Sequence, residues 1–77
     1  MPLYFFDIYN DETVLDPEGI DLADDAAALE RAAVEARVLA AESVRKGHLV
    51  RSHHVEVLDA DRKPIGTVRF DEAVEIR

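Results

Sequence analysis

Between Asp24 and Gly47 the chain runs for about 22 residues without a glycine or a proline, and alanine is the commonest residue in the run. Such a stretch is expected to be a helix, because alanine has the most favourable helix propensity and nothing here breaks the backbone ladder. At 1.5 Å per residue it reaches about 33 Å. Asp24 is placed to cap the first turn, with Asp21 as the alternative, and Asp25 adds negative charge where the helix dipole is positive. Gly47 supplies the left-handed residue that ends the helix. In a chain of 77 residues this leaves two short flanks to build whatever the helix packs against.

The helix carries two apolar stripes. Spacing residues by 100° puts Leu29, Ala32, Ala33, Ala36, Leu39, Ala40 and Ser43 on one side, small enough for the helix to lie close to a sheet. Ala27, Val34, Val38 and Ala41 fall on the opposite side, where a solvent-facing helix ordinarily carries charge. These four are the candidate protein-contact residues.

Both flanks read as strands. Leu3 to Tyr9 alternates, with Tyr4, Phe6 and Ile8 on one face and Leu3, Phe5, Asp7 and Tyr9 on the other. Thr13 to Leu15 follows a three-residue polar turn, and Pro17 and Gly19 end it. After the helix, Arg51 to Leu58 and Ile65 to Phe70 alternate around a hairpin loop at Asp59 to Lys63. Asp71 to Arg77 extends a strand, forms a turn of helix or frays, and the pattern does not choose among these. The sum is a single α+β domain over residues 1–77, ββαββ, with an antiparallel sheet of three or four strands and one long helix packed on one face. A chain this short buries only roughly 60% of its surface on folding, a marginal fraction that favours a dimer.

Seventeen acidic against nine basic residues leave a net charge of −8. Eight of the acids lie between Asp7 and Asp25 with no Lys or Arg among them, and the sign reverses from Arg45 to Arg69. The overall charge repels phosphate and sets nucleic acid aside as the main partner, while Arg51, Arg62, Lys63 and Arg69 form a candidate basic patch on the C-terminal hairpin. The chain has no cysteine, hence no disulfide, thiolate ligand or thiolate nucleophile. No apolar run approaches the ~20 residues of a membrane span, so no membrane association is expected and the expected location is the cytoplasm.

No motif assigns an activity. His53 and His54 are strand neighbours that point to opposite faces, so they cannot share one metal ion; His48 with His54 is the remaining combination, and no further pair completes a set. The acidic turns lack the spacing of a calcium loop. Asp7, a carboxylate inside the most apolar strand, is of the kind a metal-dependent hydrolase uses with a histidine, while an exposed face or an edge position accounts for it more simply. There is no nucleophile elbow and no clustered-glycine phosphate loop, and Tyr4, Phe5, Phe6 and Tyr9 lack the interleaved basic residues of a base-stacking sheet. No catalytic residue, metal ligand, cofactor or small-molecule substrate is assigned.

The opening Pro2-x-Tyr4-Phe5-Phe6-Asp7-Ile8, the Asp16-x-Glu18-Gly19-Ile20-x-Leu22 segment leading into the helix, and the Val55-x-Val57-x-Asp59-x-Asp61…Val68-x-Phe70 hairpin resemble a family of short bacterial proteins classed as a domain of unknown function. The resemblance spans nearly the whole chain and implies a small stand-alone cytosolic protein without assigned activity, cofactor or catalytic residues. More loosely, residues 3 to about 44 are similar to the N-terminal domain of HicB-type antitoxins in their order of strand, hairpin, acidic turn and helix, although no DNA-binding helix or ribbon follows. The expectation is therefore a non-enzymatic module that pairs with itself or another protein, through Val34 and Val38 or an open sheet edge. A nucleic-acid-associated regulator using the basic patch and a small metal-dependent hydrolase are the alternatives.

Overall fold

The computed structural model describes residues 1–75. Its elements run β1 (Leu3–Tyr9), β2 (Thr13–Val14), β3 (Ile20–Asp21), α1 (Asp25–Arg45), β4 (His54–Leu58), β5 (Pro64–Arg69) and α2 (Phe70–Ala73). All the strand pairings are antiparallel. The sheet has five strands in the order β2-β1-β4-β5, with β3 also pairing β1. The expected three or four strands and ββαββ order are thus corrected: β3 and the single turn α2 are additional elements. Two residues carry no periodicity, and β3 forms because Leu3 and Tyr4 offer a backbone edge to Asp21 and Ile20. The expected strand to Phe70 stops at Arg69, and Phe70 opens α2 instead. Of the expected strand from Arg51, Arg51 and Ser52 form a turn. Residues 76 and 77, the end of the segment whose conformation the pattern left open, lie outside the described residues.

The helix ends follow from named contacts. Asp24 Oδ1 accepts from the Ala27 amide at 2.8 Å, satisfying one of the free first-turn donors. At the other end the amides of Gly47 and His48 donate to the carbonyls of Val44 and Ser43, and Gly47 takes φ +96°. This is the paired C-terminal closure that a left-handed residue permits. Tyr4 ties the helix start to the sheet, its hydroxyl donating to Asp25 Oδ1 at 2.8 Å. That hydrogen bond, then burial, then the nearby charges of Asp25, Asp24 and Asp59, push the Tyr4 phenol up to about 12.

α1 lies across one face of the sheet. Ala28, Ala32 and Ala36 are fully buried, and Ala40 and Ser43 nearly so, against Tyr4, Phe6, Val55 and Val57. Phe6 stands opposite Val57 and Ile8 opposite Val55 in the β1–β4 register, so the even positions of β1 supply the floor of the core. Small side chains on the helix let its backbone approach that floor closely. α2 closes one end: Phe70 is completely buried, its amide donates to the His53 carbonyl at 2.8 Å, and Arg37 Nε of α1 donates to the Ala73 carbonyl at 2.7 Å. No helix among the described residues is long and apolar enough to cross a membrane.

Candidate interaction surface

The second stripe of α1 faces away from the core. Val34 is 45% exposed and Val38 57%, Ala41 is exposed and Ala27 half-buried, so the four sequence candidates are brought together on the helix's outer face. Charge flanks them on both sides. By helical phase Glu30 and Arg37 lie along one flank, and Arg31, Glu35 and Glu42 along the other. Arg31 Nε meets Glu35 Oε1 at 3.2 Å, and Arg45 lies 3.6 Å from Glu42. These exposed pairs contribute little to stability individually, but they frame an apolar strip about four turns long.

The β1 edge of the sheet is covered, while β5 is the outer strand on the other side. β2 and β3 cover the two ends of β1, and between them the Phe6 amide donates to Asp16 Oδ2 at 3.1 Å. Asp16 Oδ1 takes the amides of Glu18 and Gly19, both at 3.1 Å, so this one carboxylate occupies a gap that a strand would otherwise fill. Gly19 has φ +76°, and a Cβ there would lie 2.9 Å from the Tyr4 carbonyl oxygen, so only glycine fits this turn. At the other side of the sheet β5 begins at Pro64, which has no amide to donate, and the pairing shifts register at Val57/Leu58. The Arg69 amide is taken by Glu72 Oε1 at 3.1 Å. Prolines, irregular pairing and capped amides are how edge strands avoid recruiting another chain.

Burial alone pushes the Asp16 carboxyl up, but the amides of Gly19, Glu18 and Phe6 and the Arg62 charge outweigh it and hold the group below its ordinary 3.8. Its stabilising effect is therefore complete above about pH 4 and is lost as the pH falls through the lower folded value. Asp16→Asn is expected to be less stable than wild type at pH 7, with the gap shrinking below pH 4. Denaturant titrations at pH 7, 4 and 3 read this; a gap independent of pH would contradict it.

Asp7 is 3% exposed and its carboxylate is fully engaged. Oδ1 accepts the Asp16 amide at 2.9 Å and Oδ2 accepts from Arg62 Nη2 at 2.7 Å. Arg62 reaches it from the hairpin loop with φ +60°, and its guanidinium lies 4.8 Å from the Phe5 ring centroid. The residue that suggested a hydrolase is thus the buried half of an ion pair that fastens the β4–β5 loop to β1.

The four residues of the basic patch are not gathered. They split into two pairs: Arg62 and Lys63 sit in the loop between β4 and β5, while at the far end of β5 Arg69 forms a bidentate pair with Asp71 at 3.0 and 2.8 Å and lines one shallow pocket with Arg51 of the turn before β4, Asp71 and Glu72. The histidines are likewise divided. His48 Nε2 is 3.2 Å from Asp11 Oδ2 and His53 Nε2 is 4.0 Å from Asp11 Oδ1, whereas His54 stacks on Tyr9 with ring centroids 4.9 Å apart. His53 also meets the Phe70 ring edge-on at 5.7 Å. Among the described residues no group of three His, Cys, Asp or Glu is arranged to hold a metal ion.

Sequence reasoning missed the Asp16 plug and the Asp7–Arg62 pair. The signals were present: an Asp two and three residues before the Glu18 and Gly19 amides is a turn-forming arrangement, and a carboxylate on an apolar strand needs a cation. Comparison with curated proteins finds no match, and neither does comparison with solved structures. Residues 3–71 match the model of the family described as a domain of unknown function (DUF6894), so nearly the whole α+β unit built here is that domain, and the chain belongs to this family.

Proposed function

We propose that the chain is a non-enzymatic protein-contact module that self-associates through the outer face of α1. The observation that carries this reading is the pair of half-exposed valines, Val34 and Val38, at the middle of a charge-flanked helix face directly opposite the core. The other contact considered, an open sheet edge, is narrowed to β5, where Pro64, the register shift and the engaged Arg69 amide interrupt the row of free backbone groups. The nucleic-acid reading is less supported, since the guanidinium groups of Arg62 and Arg69 are already paired with Asp7 and Asp71. The hydrolase reading is less supported because the Asp7 carboxylate is fully engaged by Asp16 and Arg62.

Burying a half-exposed valine releases about 1 kcal/mol, so four across a two-fold release about 4 kcal/mol, against an association cost of roughly 4–15 kcal/mol. The contact is accordingly a reversible one, helped by the flanking side chains. Val34→Glu with Val38→Glu places four carboxylates in the seam and is expected to leave a monomer at every concentration, with stability within about 0.5 kcal/mol of wild type because both positions are exposed. Sedimentation of the two proteins side by side tests this. A variant that sediments like an associating wild type would overturn the choice of face.

A further inference from the structure

Resting on that reading, we infer that the second copy docks antiparallel, about a two-fold axis beside Val34, with Glu30 of each copy facing Arg37 of the other. Glu30 and Arg37 lie two helical turns apart on the same flank of the stripe. In an antiparallel helix pair related by a two-fold, each flank faces its own counterpart, so an acid and a base placed equally far from the axis meet each other twice. An axis between positions 33 and 34 does this for Glu30 and Arg37, brings Val34 against its own copy, and lays Val38 beside Ala27 and the stem of Arg31. On the other flank the same register sets Arg31 close to Glu35.

Two further features select this orientation. α1 begins with Asp24 and Asp25 and ends with Arg45 and Lys46, so a parallel pair stacks acid on acid and base on base, while an antiparallel pair brings the acidic start of one helix within about a turn of the basic end of the other. In a parallel pair Arg45, which lies in line with the valines by helical phase, would meet its own copy, whereas antiparallel it lies near the acidic start of the other helix. Both flank groups are available. Among the described residues Glu30 has no ion-pair partner, and Arg37 donates through Nε to the Ala73 carbonyl, which steadies the side chain, with no further contact from its terminal nitrogens to those residues.

The test is a charge exchange between two singly substituted proteins. Glu30→Arg alone sets two like-charged arginine pairs across the two-fold, and Arg37→Glu alone sets two glutamate pairs; each is expected to weaken self-association by roughly tenfold or more. Mixed in equal amounts they form a heterodimer in which both pairs are complementary, with affinity expected to return to within about threefold of wild type. In a parallel arrangement the guanidinium introduced by Glu30→Arg would still face Arg31 of the other copy, so mixing would restore nothing. Sedimentation of each variant alone and of the mixture, with circular dichroism to confirm that both are folded, gives the answer. Restored association supports the antiparallel pair. An associating wild type whose single variants are unaffected, or whose mixture stays weak, overturns the orientation and leaves the self-association reading standing; a monomeric wild type overturns both.

Discussion

Truncating Phe70 to alanine is expected to lower the unfolding free energy by about 3–5 kcal/mol, the range found when a large aromatic leaves a close-packed core. Phe70 is the largest fully buried side chain in the chain's described part, and it does two jobs at once. Its ring fills the end of the core against His53, and its amide, bonded to the His53 carbonyl, carries the β4–β5 pairing one step past Arg69 and so anchors the start of α2 to the sheet. A domain of this size has only a few kcal/mol in hand, so the variant is expected to be largely unfolded at room temperature. Denaturant titration read by circular dichroism measures the loss, and Phe70→Leu, which keeps most of the volume, is expected to fall between. A loss below about 1 kcal/mol for the alanine variant would mean that α2 is a loosely attached appendage, contrary to the packing described above.

Arg62→Ala is expected to cost about 3 kcal/mol, far more than an exposed pair, because it strips the cation from a carboxylate that is only 3% exposed. The guanidinium itself is 41% exposed and can return to water, so the penalty is that of leaving Asp7 buried and charged with one remaining amide donor. Asp7→Asn keeps the shape and removes the buried charge, so it is expected to be milder than Arg62→Ala, and the double variant milder than the sum of the two. That ordering, measured in a double-mutant cycle by denaturant titration, is the signature of a coupled structural pair. Equal and additive losses would show that Asp7 and Arg62 act independently.

The parts of this fold that could be read from sequence are those written in local chemistry. The long helix was legible to within a residue at each end because its cap, its alanine content and its closing glycine all lie inside the run they delimit. The division of its faces followed from periodicity, although the buried side also takes in Ala28, which the 100° spacing had left off the stripe. β3 was not legible, since Ile20 and Asp21 become a strand only by lying against Leu3 and Tyr4. Nor was the end of β5: alternation continues through Phe70, whose amide still bonds to His53 in the β4–β5 register, and the strand is ended only by the turn of α2, where Glu72 takes the Arg69 amide. The same limit governs the polar contacts. Asp7 and Arg62 stand 55 positions apart, and nothing local tells a paired strand carboxylate from a catalytic one. The outer stripe was legible for the opposite reason, being a violation of helix patterning that no contact among the described residues removes.

The central claim, that this stripe is a contact between copies, is tested most directly by sedimentation equilibrium of the unmodified chain over a wide concentration range at near-physiological salt. The expected result is a weight-average mass that rises from 8.6 kDa toward twice that value and falls back on dilution. A mass that stays at 8.6 kDa up to the highest concentration reached would contradict it.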